Sequence, residues 1–396
     1  MSKYSSEIFN LKSASVFASY RIADFPRAGL RFHPWQITET KAVLLNAFDL
    51  IGNKRTKKCA LEWRNQEINL SQGIEFGGAL MLDSGAYNFL QHKEISITPE
   101  EVLDVALKMK AQTCVVLDHP FPPHATKDEV DLRVQRTLDN TRAMVRRLEQ
   151  SKDVPSKFRL IPVLHGHDEE TLLKCLKGIR EAIGNEPEII GIGSLAPLAQ
   201  NGSKRKVVDI ISNIRKMLPN AHIHCFSMGS ALLMLLAFYC GADSVDSQTW
   251  VMSAAYKQVQ LPGLYLTRFS EREALSNPNY KNMLHRFTTR LVELCHEESF
   301  IVKNWDTGDD WTINNEKDAL SYLNFLQDQK GVNNLHRRAC HNLYSFNFEA
   351  RKVFEMQSKS LADLERFIQS RLHSTIYKQV FEYAMLGRTI SPAANH

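Results

Sequence analysis

Short, continuous runs of apolar residues alternate with amphipathic segments between about residue 40 and residue 270. Continuous apolar runs of this length are typical of strands in a parallel sheet that helices cover on both faces. The predicted strands span residues 42–48, 79–82, 113–117, 159–164, 189–193, 222–226, the segment before Asp246, and 264–266. The pattern therefore predicts an α/β fold.

Helix-start signals lie between several of these runs. Thr98, followed three residues later by Glu101, forms a capping box, and Thr126 opens a helix that we expect to end near residue 150. Asp168 is the predicted N-cap of a third helix. About eight strand–helix units in sequence favour a TIM (β/α)8 barrel. A doubly wound sheet is the alternative, because periodicity does not tell whether the strands close into a ring.

The pattern changes after about residue 280, where helices are predicted at residues 280–297, 316–329, 335–354 and 361–383. We read this part as a helical C-terminal addition to the barrel. The predicted division is a TIM-barrel catalytic domain at residues 1–275 and a helical C-terminal region at residues 276–396.

Composition and charge narrow the class of protein only slightly. The 396 residues are 43% hydrophobic and 23% charged, which is enough for a large core. The formal net charge of +5 permits a nucleic-acid partner without requiring one. The seven cysteines form no CxxC motif, which is typical of reduced cytosolic thiols. No apolar stretch is long enough for a signal peptide or a membrane span, so we expect a cytoplasmic protein that does not contact membranes.

Polar and glycine-rich groups follow the predicted strands, at the end of a TIM barrel where active sites lie. These groups are Asp83, Asp118, His165, Gly193-Ser194-Leu195, Met228-Gly229 and Asp246. A single aspartate at a strand end is most often a turn residue, but the aligned set indicates a site. Two carboxylates on different strands can divide a substitution at a sugar carbon between a nucleophile and an acid/base.

Six segments in this order resemble the tRNA-guanine transglycosylase superfamily. They are Leu82-Asp83-Ser84-Gly85-Ala86-Tyr87-Asn88, Leu117-Asp118 with Pro120 to Thr126 after it, Val163-Leu164-His165-Gly166, Gly191-Ile192-Gly193-Ser194-Leu195-Ala196, Ser227-Met228-Gly229 and Gly241-Ala242-Asp243-Ser244-Val245-Asp246-Ser247. The resemblance implies a TIM barrel that needs no cofactor and exchanges a guanine base in a polynucleotide for a 7-deazaguanine.

The resemblance also implies roles for individual residues. Asp246 corresponds to the nucleophile that attacks the anomeric carbon, and Asp83 to the general acid/base, whose pKa must lie nearer neutrality than that of a free aspartate. Asp118 would accept hydrogen bonds from the amidine edge of guanine. The other substrate-binding positions are Tyr87, His165, Gly193, Ser194, Leu195, Met228 and Gly229. For Asp246 the alternative is a loop-capping role, which Asp243 fits better.

Three departures from the family pattern bear on the substrate and on the metal. Residues 309–315, where the family's zinc-binding cysteines fall, contain no cysteine, so we expect no zinc there. Residues 247–250 lack the proline–threonine–arginine segment of the tRNA enzymes, and His165 replaces the usual glutamine. A non-standard zinc site at Cys295-His296 and Cys340-His341 stays open as an alternative.

With these departures, the sequence resembles the branch of the superfamily that inserts 7-cyano-7-deazaguanine into DNA. That resemblance implies DNA as the partner, ATPase-type partner proteins, and phosphate contacts from basic groups at residues 54–58 and 204–206. Two alternatives remain. One is a tRNA-guanine transglycosylase of the queuosine or archaeosine type that has lost its metal site. The other is a non-catalytic nucleic-acid-binding paralogue, against which the retention of both Asp83 and Asp246 argues.

Overall fold

The structure is a computed structural model that describes residues 15–20, 33–51, 62–63, 65–66, 68–90, 96–264, 266–269, 277–327 and 334–389. Nine parallel strands form its central sheet, in the order β5-β4-β3-β2-β1-β9-β8-β7-β6. They are β1 Ser15–Ser19, β2 Ala42–Asn46, β3 Ala79–Asp83, β4 Thr113–Val115, β5 Arg159–Ile161, β6 Val163–Leu164, β7 Ile189–Ile192, β8 His222–Cys225 and β9 Ser244–Ser247.

One interrupted strand closes this sheet into a barrel. The segments β5 and β6 are the two halves of the predicted strand 159–164, separated by Pro162, which has no amide proton for the ladder. The first half pairs with β4 and the second half pairs with β7. Because β5 and β6 are two halves of one strand, the nine segments form a barrel of eight strands. The predicted TIM barrel is confirmed in preference to the doubly wound sheet.

One predicted strand is wrong, and one barrel strand was missed. Residues 264 and 266 lie outside any strand, because the chain bends there directly after Gly263, whose φ is +76°. The remaining barrel strand is β1, which pairs in parallel with both β2 and β9. Its apolar run is only three residues long, from Val16 to Ala18, so the pattern did not reveal it.

Helices connect and surround the strands. Those in the barrel part are α1 Ala47–Ile51, α2 Leu70–Gly73, α3 Pro99–Lys108, α4 Lys127–Glu149, α5 Glu169–Ile183, α6 Leu195–Gln200, α7 Lys204–Met217, α8 Ala231–Cys240 and α9 Thr249–Ala255. The predicted N-caps are confirmed, since Thr98, Thr126 and Asp168 each accept a hydrogen bond from an amide in the first turn. The basic residues at 204–206 begin α7, whereas those at 54–58 lie outside the described residues.

The C-terminal part contains α10 Tyr280–Glu297, α11 Glu316–Gln327, α12 Asn334–Lys359, α13 Leu361–Arg371 and α14 Thr375–Thr389. The prediction of a single helix at residues 361–383 is wrong, because Leu372 adopts an extended ψ of 103° and ends α13. Two short hairpins accompany the helices, Gln258–Val259 with Thr267–Arg268 and Val302–Lys303 with Asp310–Trp311.

The long helix α12 joins the barrel to this C-terminal part. It contributes Leu343 and Phe346 to the main core and Tyr344 and Phe348 to a second hydrophobic core. The second core also contains Val259, which precedes the predicted boundary at residue 275. That boundary lies outside the described residues, and the predicted division stays a prediction. Within the described ranges, no helix combines the length and apolar character that crossing a bilayer requires.

Candidate active site

A cavity of about 530 Å³ lies at the carboxyl ends of the barrel strands. This volume is within the range of sites that hold small molecules. Several predicted site residues line it together: Asp83, Tyr87, Asp118, Gly193, Ser194, Leu195, Gly229 and Asp246. Two other predicted residues, His165 and Met228, are buried and do not line the cavity. Met228 packs in the main core, so its contact with a base stays a prediction.

Asp83 is the last residue of β3, and a tight turn fixes its side chain. The amide of Gly85 donates a hydrogen bond of 3.0 Å to Oδ2 of Asp83. Gly85 has a φ of +86°, and a Cβ atom there would lie 2.2 Å from Oδ1 of Asn46. Only glycine fits this turn without strain. The turn therefore holds the carboxylate toward the cavity and starts the short helix Ala86–Phe89, which carries Tyr87.

Asp246 lies within β9, and its carboxylate accepts a hydrogen bond of 2.7 Å at Oδ1 from the amide of Ser227. The loop-capping role belongs to Asp243 instead. Oδ2 of Asp243 accepts a hydrogen bond of 2.8 Å from the amide of Ile223 and pairs with the guanidinium of Arg215. The structure thus separates the two carboxylates of this segment, because Asp243 is held by the scaffold and Asp246 lines the cavity.

Asp118 is held from behind by His165. Oδ2 of Asp118 lies 3.0 Å from Nε2 of His165, and Oδ1 accepts a hydrogen bond of 3.3 Å from the hydroxyl of Ser84. The other ring nitrogen of His165 lies 3.0 Å from Oγ of Ser194. Nε2 of His165 makes no hydrogen bond of ordinary geometry with a described residue, so His165 constrains Asp118 by close contact. Its predicted direct contact with the base stays a prediction.

Replacing Gly193 with alanine should weaken binding of guanine, the base that the sequence resemblance implies, without unfolding the barrel. A Cβ atom at this position would lie 2.2 Å from Cε1 of His165, so the imidazole must move and release Asp118. We expect the dissociation constant of guanine, measured by calorimetry, to rise about 10-fold. Gly77→Ala is the matched control, because nothing lies within 4 Å of the added methyl group. Equal guanine affinity in the two variants would contradict the role of His165 in holding Asp118.

Two serines at strand ends adopt the left-handed conformation that is uncommon for residues with a side chain. The φ angle is +62° at Ser194 and +57° at Ser227, and both residues line the cavity. Such strain concentrates at functional sites. At Ser194 the turn lets the hydroxyl accept a hydrogen bond of 3.1 Å from the amide of Phe121. The same hydroxyl contacts Nδ1 of His165, so Ser194 connects the segments that follow β4, β6 and β7.

The cavity also contains residues that sequence reasoning did not single out. They include Tyr20, Asn46, Gln200, Phe226, Ser227, Gln248, Thr249, Met252 and Tyr256. Ser227 belongs to a quoted motif segment and Gln248 directly follows another, so their position in the sequence was the available signal. Tyr20 follows the missed strand β1, and Tyr256 follows α9, where no motif marked the sequence.

The electrostatics of the cavity favour a protonated Asp83. Burial, together with the negative charges of Asp118 and Asp246, raises the pKa of Asp83 to about 8. The backbone amides of Gly85 and Ser84 act in the opposite direction but do not offset this effect. Asp83 can therefore carry a proton at neutral pH and donate it to a leaving group, as the predicted general acid must.

The residues of the alternative zinc site have other partners. Nε2 of His341 donates a hydrogen bond of 2.9 Å to the carbonyl oxygen of Gln260, and Nδ1 lies 2.9 Å from the hydroxyl of Tyr322. Nε2 of His296 lies 3.1 Å from the carbonyl oxygen of Ile313. In the part of the chain that the structure describes, no three histidine, cysteine or acidic side chains are grouped to hold a metal ion.

Comparison with known proteins agrees with this arrangement. A family model described as queuine tRNA-ribosyltransferase matches residues 32–289, which is more than half of the chain. The chain belongs to this family. The match contains the ends of β2 through β9, and therefore all three aspartates of the cavity.

Archaeal members of the family are among its curated relatives. A tRNA-guanine(15) transglycosylase of Methanococcus aeolicus is 27% identical over 227 residues, covering 57% of this chain and 32% of the relative. The proteins of the same name in Methanosarcina mazei and Pyrococcus furiosus are 25% and 24% identical, over 57% and 54% of this chain and 42% and 34% of their own lengths. The matched region thus spans less than half of the length of each of these relatives.

Proposed function

We propose that this protein exchanges a guanine base in a polynucleotide through a covalent aspartyl intermediate. In the first step, a carboxylate oxygen of Asp246 attacks the anomeric carbon of the target nucleotide, and the bond from that carbon to the guanine ring nitrogen breaks. Asp83 donates its proton to the departing base and becomes a carboxylate. The polymer is then joined to the protein by an ester bond.

The second step reverses the first with a different base. A 7-deazaguanine enters the cavity, and Asp118 accepts hydrogen bonds from its amidine edge. The carboxylate of Asp83 takes the proton from the ring nitrogen of this base, which attacks the anomeric carbon and displaces Asp246. Asp83 regains its proton, Asp246 regains its charge, and the glycosidic bond is replaced without any external energy source.

The observation that supports this proposal most strongly is the shared cavity of Asp83 and Asp246, two carboxylates on different strands. Their ionisation differs in the direction that the chemistry needs, because the raised pKa of Asp83 keeps its proton near neutral pH. A pair of carboxylates with opposed roles is the arrangement found where one side chain acts as acid and the other as nucleophile.

Labelled guanine offers a direct test of the proposal. The protein is incubated with radioactive guanine and nucleic acid, and incorporation into the polymer is measured by precipitation. A covalent protein–polymer adduct is sought in parallel on denaturing gels. We expect label in the polymer and a slowly migrating adduct. Failure of both, at neutral pH with tRNA and DNA each supplied, would support the non-catalytic paralogue instead.

The relatives favour tRNA as the polymer, since each one described above is named a tRNA-guanine(15) transglycosylase. We therefore put tRNA first among the substrates. DNA is the second candidate, because residues 309–315 contain no cysteine and residues 247–250 read Ser-Gln-Thr-Trp. Both features depart from the pattern expected of tRNA enzymes. For DNA, the incoming base would be 7-cyano-7-deazaguanine.

Parallel exchange assays decide between the two polymers. Bulk tRNA, single-stranded DNA and double-stranded DNA are incubated with labelled guanine under the same conditions. Incorporation into tRNA alone would support the reading that the relatives favour, and incorporation into DNA alone would reject it. Digestion of the product to nucleosides, followed by mass spectrometry after supply of 7-cyano-7-deazaguanine, identifies the inserted base.

The rim of the cavity fits a polymer better than a free nucleoside. Three large apolar side chains on the rim are exposed: Tyr87 by 48%, Met252 by 44% and Tyr256 by 60%. Exposed aromatic rings beside a base pocket can stack on neighbouring bases of a flipped nucleotide. The rim therefore supports contacts with nucleotides on either side of the target.

Tyr256→Ala should weaken polymer binding and leave the chemistry intact. Because base stacking contributes about 1–3 kcal/mol, we expect KM for the polynucleotide to rise about 10-fold with little change in kcat. Tyr256→Phe keeps the ring and should behave as the wild type. Ile376→Ala, at an equally exposed side chain outside the cavity, is the control for general surface effects. A fall in kcat at unchanged KM would contradict a stacking role.

A further inference from the structure

A column of polar side chains runs through the barrel interior beneath Asp246. The interior of a TIM barrel is ordinarily filled by branched apolar side chains. Here His222 and His224 of β8 and Ser244 and Asp246 of β9 point into it. His224 pairs in register with Ser244, so their side chains lie on the same face. All four residues are buried, and His224 has no exposed surface.

The hydroxyl of Ser244 links the two histidines. Its Oγ lies 2.7 Å from Nε2 of His222 and 2.9 Å from Nδ1 of His224. A hydroxyl carries one proton, so it can donate to only one imidazole and must accept from the other. The column therefore has two possible directions, and each direction fixes which nitrogen of His224 carries a proton.

The position of Asp246 selects between these directions. Nε2 of His224 is buried without a hydrogen-bond partner of ordinary geometry, and it faces Oδ1 of Asp246 at 3.5 Å. If Ser244 donated to His222, an imidazole lone pair would face the carboxylate and repel it. If Ser244 donates to Nδ1 of His224, the proton of the neutral imidazole sits on Nε2, 3.5 Å from Oδ1, and its partial positive charge attracts the carboxylate. The second direction is the favourable one.

Aromatic side chains hold the imidazole in this orientation. Phe17 and Phe226 contact the ring of His224 edge-on, with centroids 5.4 Å and 4.7 Å away. Both phenylalanines belong to the apolar cluster of the barrel interior. Since these walls exclude other acceptors and bulk water, an imidazole N–H in this place acts on Asp246 more strongly than it would in water.

We infer that His224 is a positioning residue for Asp246, an inference that rests on the base exchange proposed above. His224 holds Oδ1 of Asp246 and leaves Oδ2 to attack the sugar. The amide of Ser227 donates to the same oxygen. The hydrogen bond from Ser227 and the attraction of the nearby His224 N–H together fix the rotation of the carboxylate. They also stabilise the charge that returns to it when the ester breaks, so the contact assists departure of Asp246 in the second step.

Matched variants at His224 separate this role from simple packing. Glutamine places an amide N–H near Nε2 and retains a donor for Asp246, whereas asparagine reaches only the position of Nδ1. We expect His224→Asn to slow resolution of the covalent adduct about 10-fold, so that the adduct accumulates. His224→Gln should restore most of the wild-type rate, and Ser244→Ala should show an intermediate defect. Thermal melts and guanine binding monitor the fold of every variant.

The position of the proton gives a readout that does not depend on activity. Nitrogen-15 NMR of the histidine side chains should find the proton of His224 on Nε2 in the wild type, and its Nε2 resonance should shift in Asp246→Asn. A proton on Nδ1 would overturn the inference, whatever the enzyme does. If the wild type forms no adduct, the proposed function fails, while the NMR result still decides the tautomer. If the adduct forms and resolves equally fast in His224→Asn and His224→Gln, the positioning role is rejected.

Discussion

Asp246→Asn should abolish the covalent adduct and reduce guanine exchange by at least about 10⁴-fold, the scale of losses when an enzyme nucleophile is removed. The amide has nearly the shape of the carboxylate, and its oxygen can still accept the hydrogen bond of 2.7 Å from Ser227. The cavity is therefore expected to keep its shape and to lose only the anionic oxygen that attacks the sugar. Denaturing gels and guanine incorporation measure the effect.

Asp243→Asn is the matched control for this experiment, because it makes the same change three residues earlier. The carboxylate of Asp243 pairs with Arg215 and accepts the amide of Ile223. Its loss should lower the melting temperature while adducts still form below that temperature. An active Asp246→Asn variant would refute the nucleophile assignment. An inactive but fully folded Asp243→Asn variant would indicate that Asp243, and not Asp246, is the nucleophile.

Asp83→Asn is expected to slow adduct formation by about 10²- to 10⁴-fold, the usual contribution of a general acid. In the wild type the first step needs protonated Asp83, whose pKa is about 8 because of burial and of the neighbouring carboxylates. Its rate should therefore be constant below this pH and fall above it. Single-turnover measurements of the adduct across pH 6–10 check this, and the variant should lack the fall. A rate that rises through pH 8 would contradict the acid role.

The same substitution should make the protein more stable in alkaline solution. The folded protein holds the proton of Asp83 up to a pH of about 8, whereas the unfolded chain releases it near 4. Stability is therefore lost as pH rises between these values, since the folded state binds more protons. Asparagine removes this penalty, so Asp83→Asn should gain about 1–3 kcal/mol at pH 8 and little at pH 4. Urea titrations at the two pH values measure the difference, and an equal effect at both would contradict the raised pKa.

The sequence predicted the strand ends well, and with them the carboxylates that line the cavity. A buried strand is a continuous apolar run, so its last residue is visible, and Asp83 stands at the end of such a run. Asp118 follows another. The capping residues Thr98, Thr126 and Asp168 were equally readable, because N-capping depends on side chains within one turn.

What escaped prediction depends on contacts between distant segments. Strand β1 has three apolar residues and is recognised only by its partners, β2 and β9. The approach of His165 to Asp118, with Nε2 3.0 Å from Oδ2, joins two different strand ends and could not be read from either one. The link from His222 to His224 through Ser244 joins two strands and leaves no trace in either one.

Closure of the barrel by β1 has a consequence for how the protein is made. Phe17 pairs with Asp246, so the strand that carries Asp246 is completed by a segment synthesised long before it. A ribosome-bound chain in which β9 has not yet emerged leaves Ser15–Ser19 with one unsatisfied edge. Pairings between such distant segments form slowly, because a long loop must be ordered first. We therefore expect Asp246, the proposed nucleophile, to be set in place among the last events of folding, and partly folded chains to lack the proposed base-exchange activity.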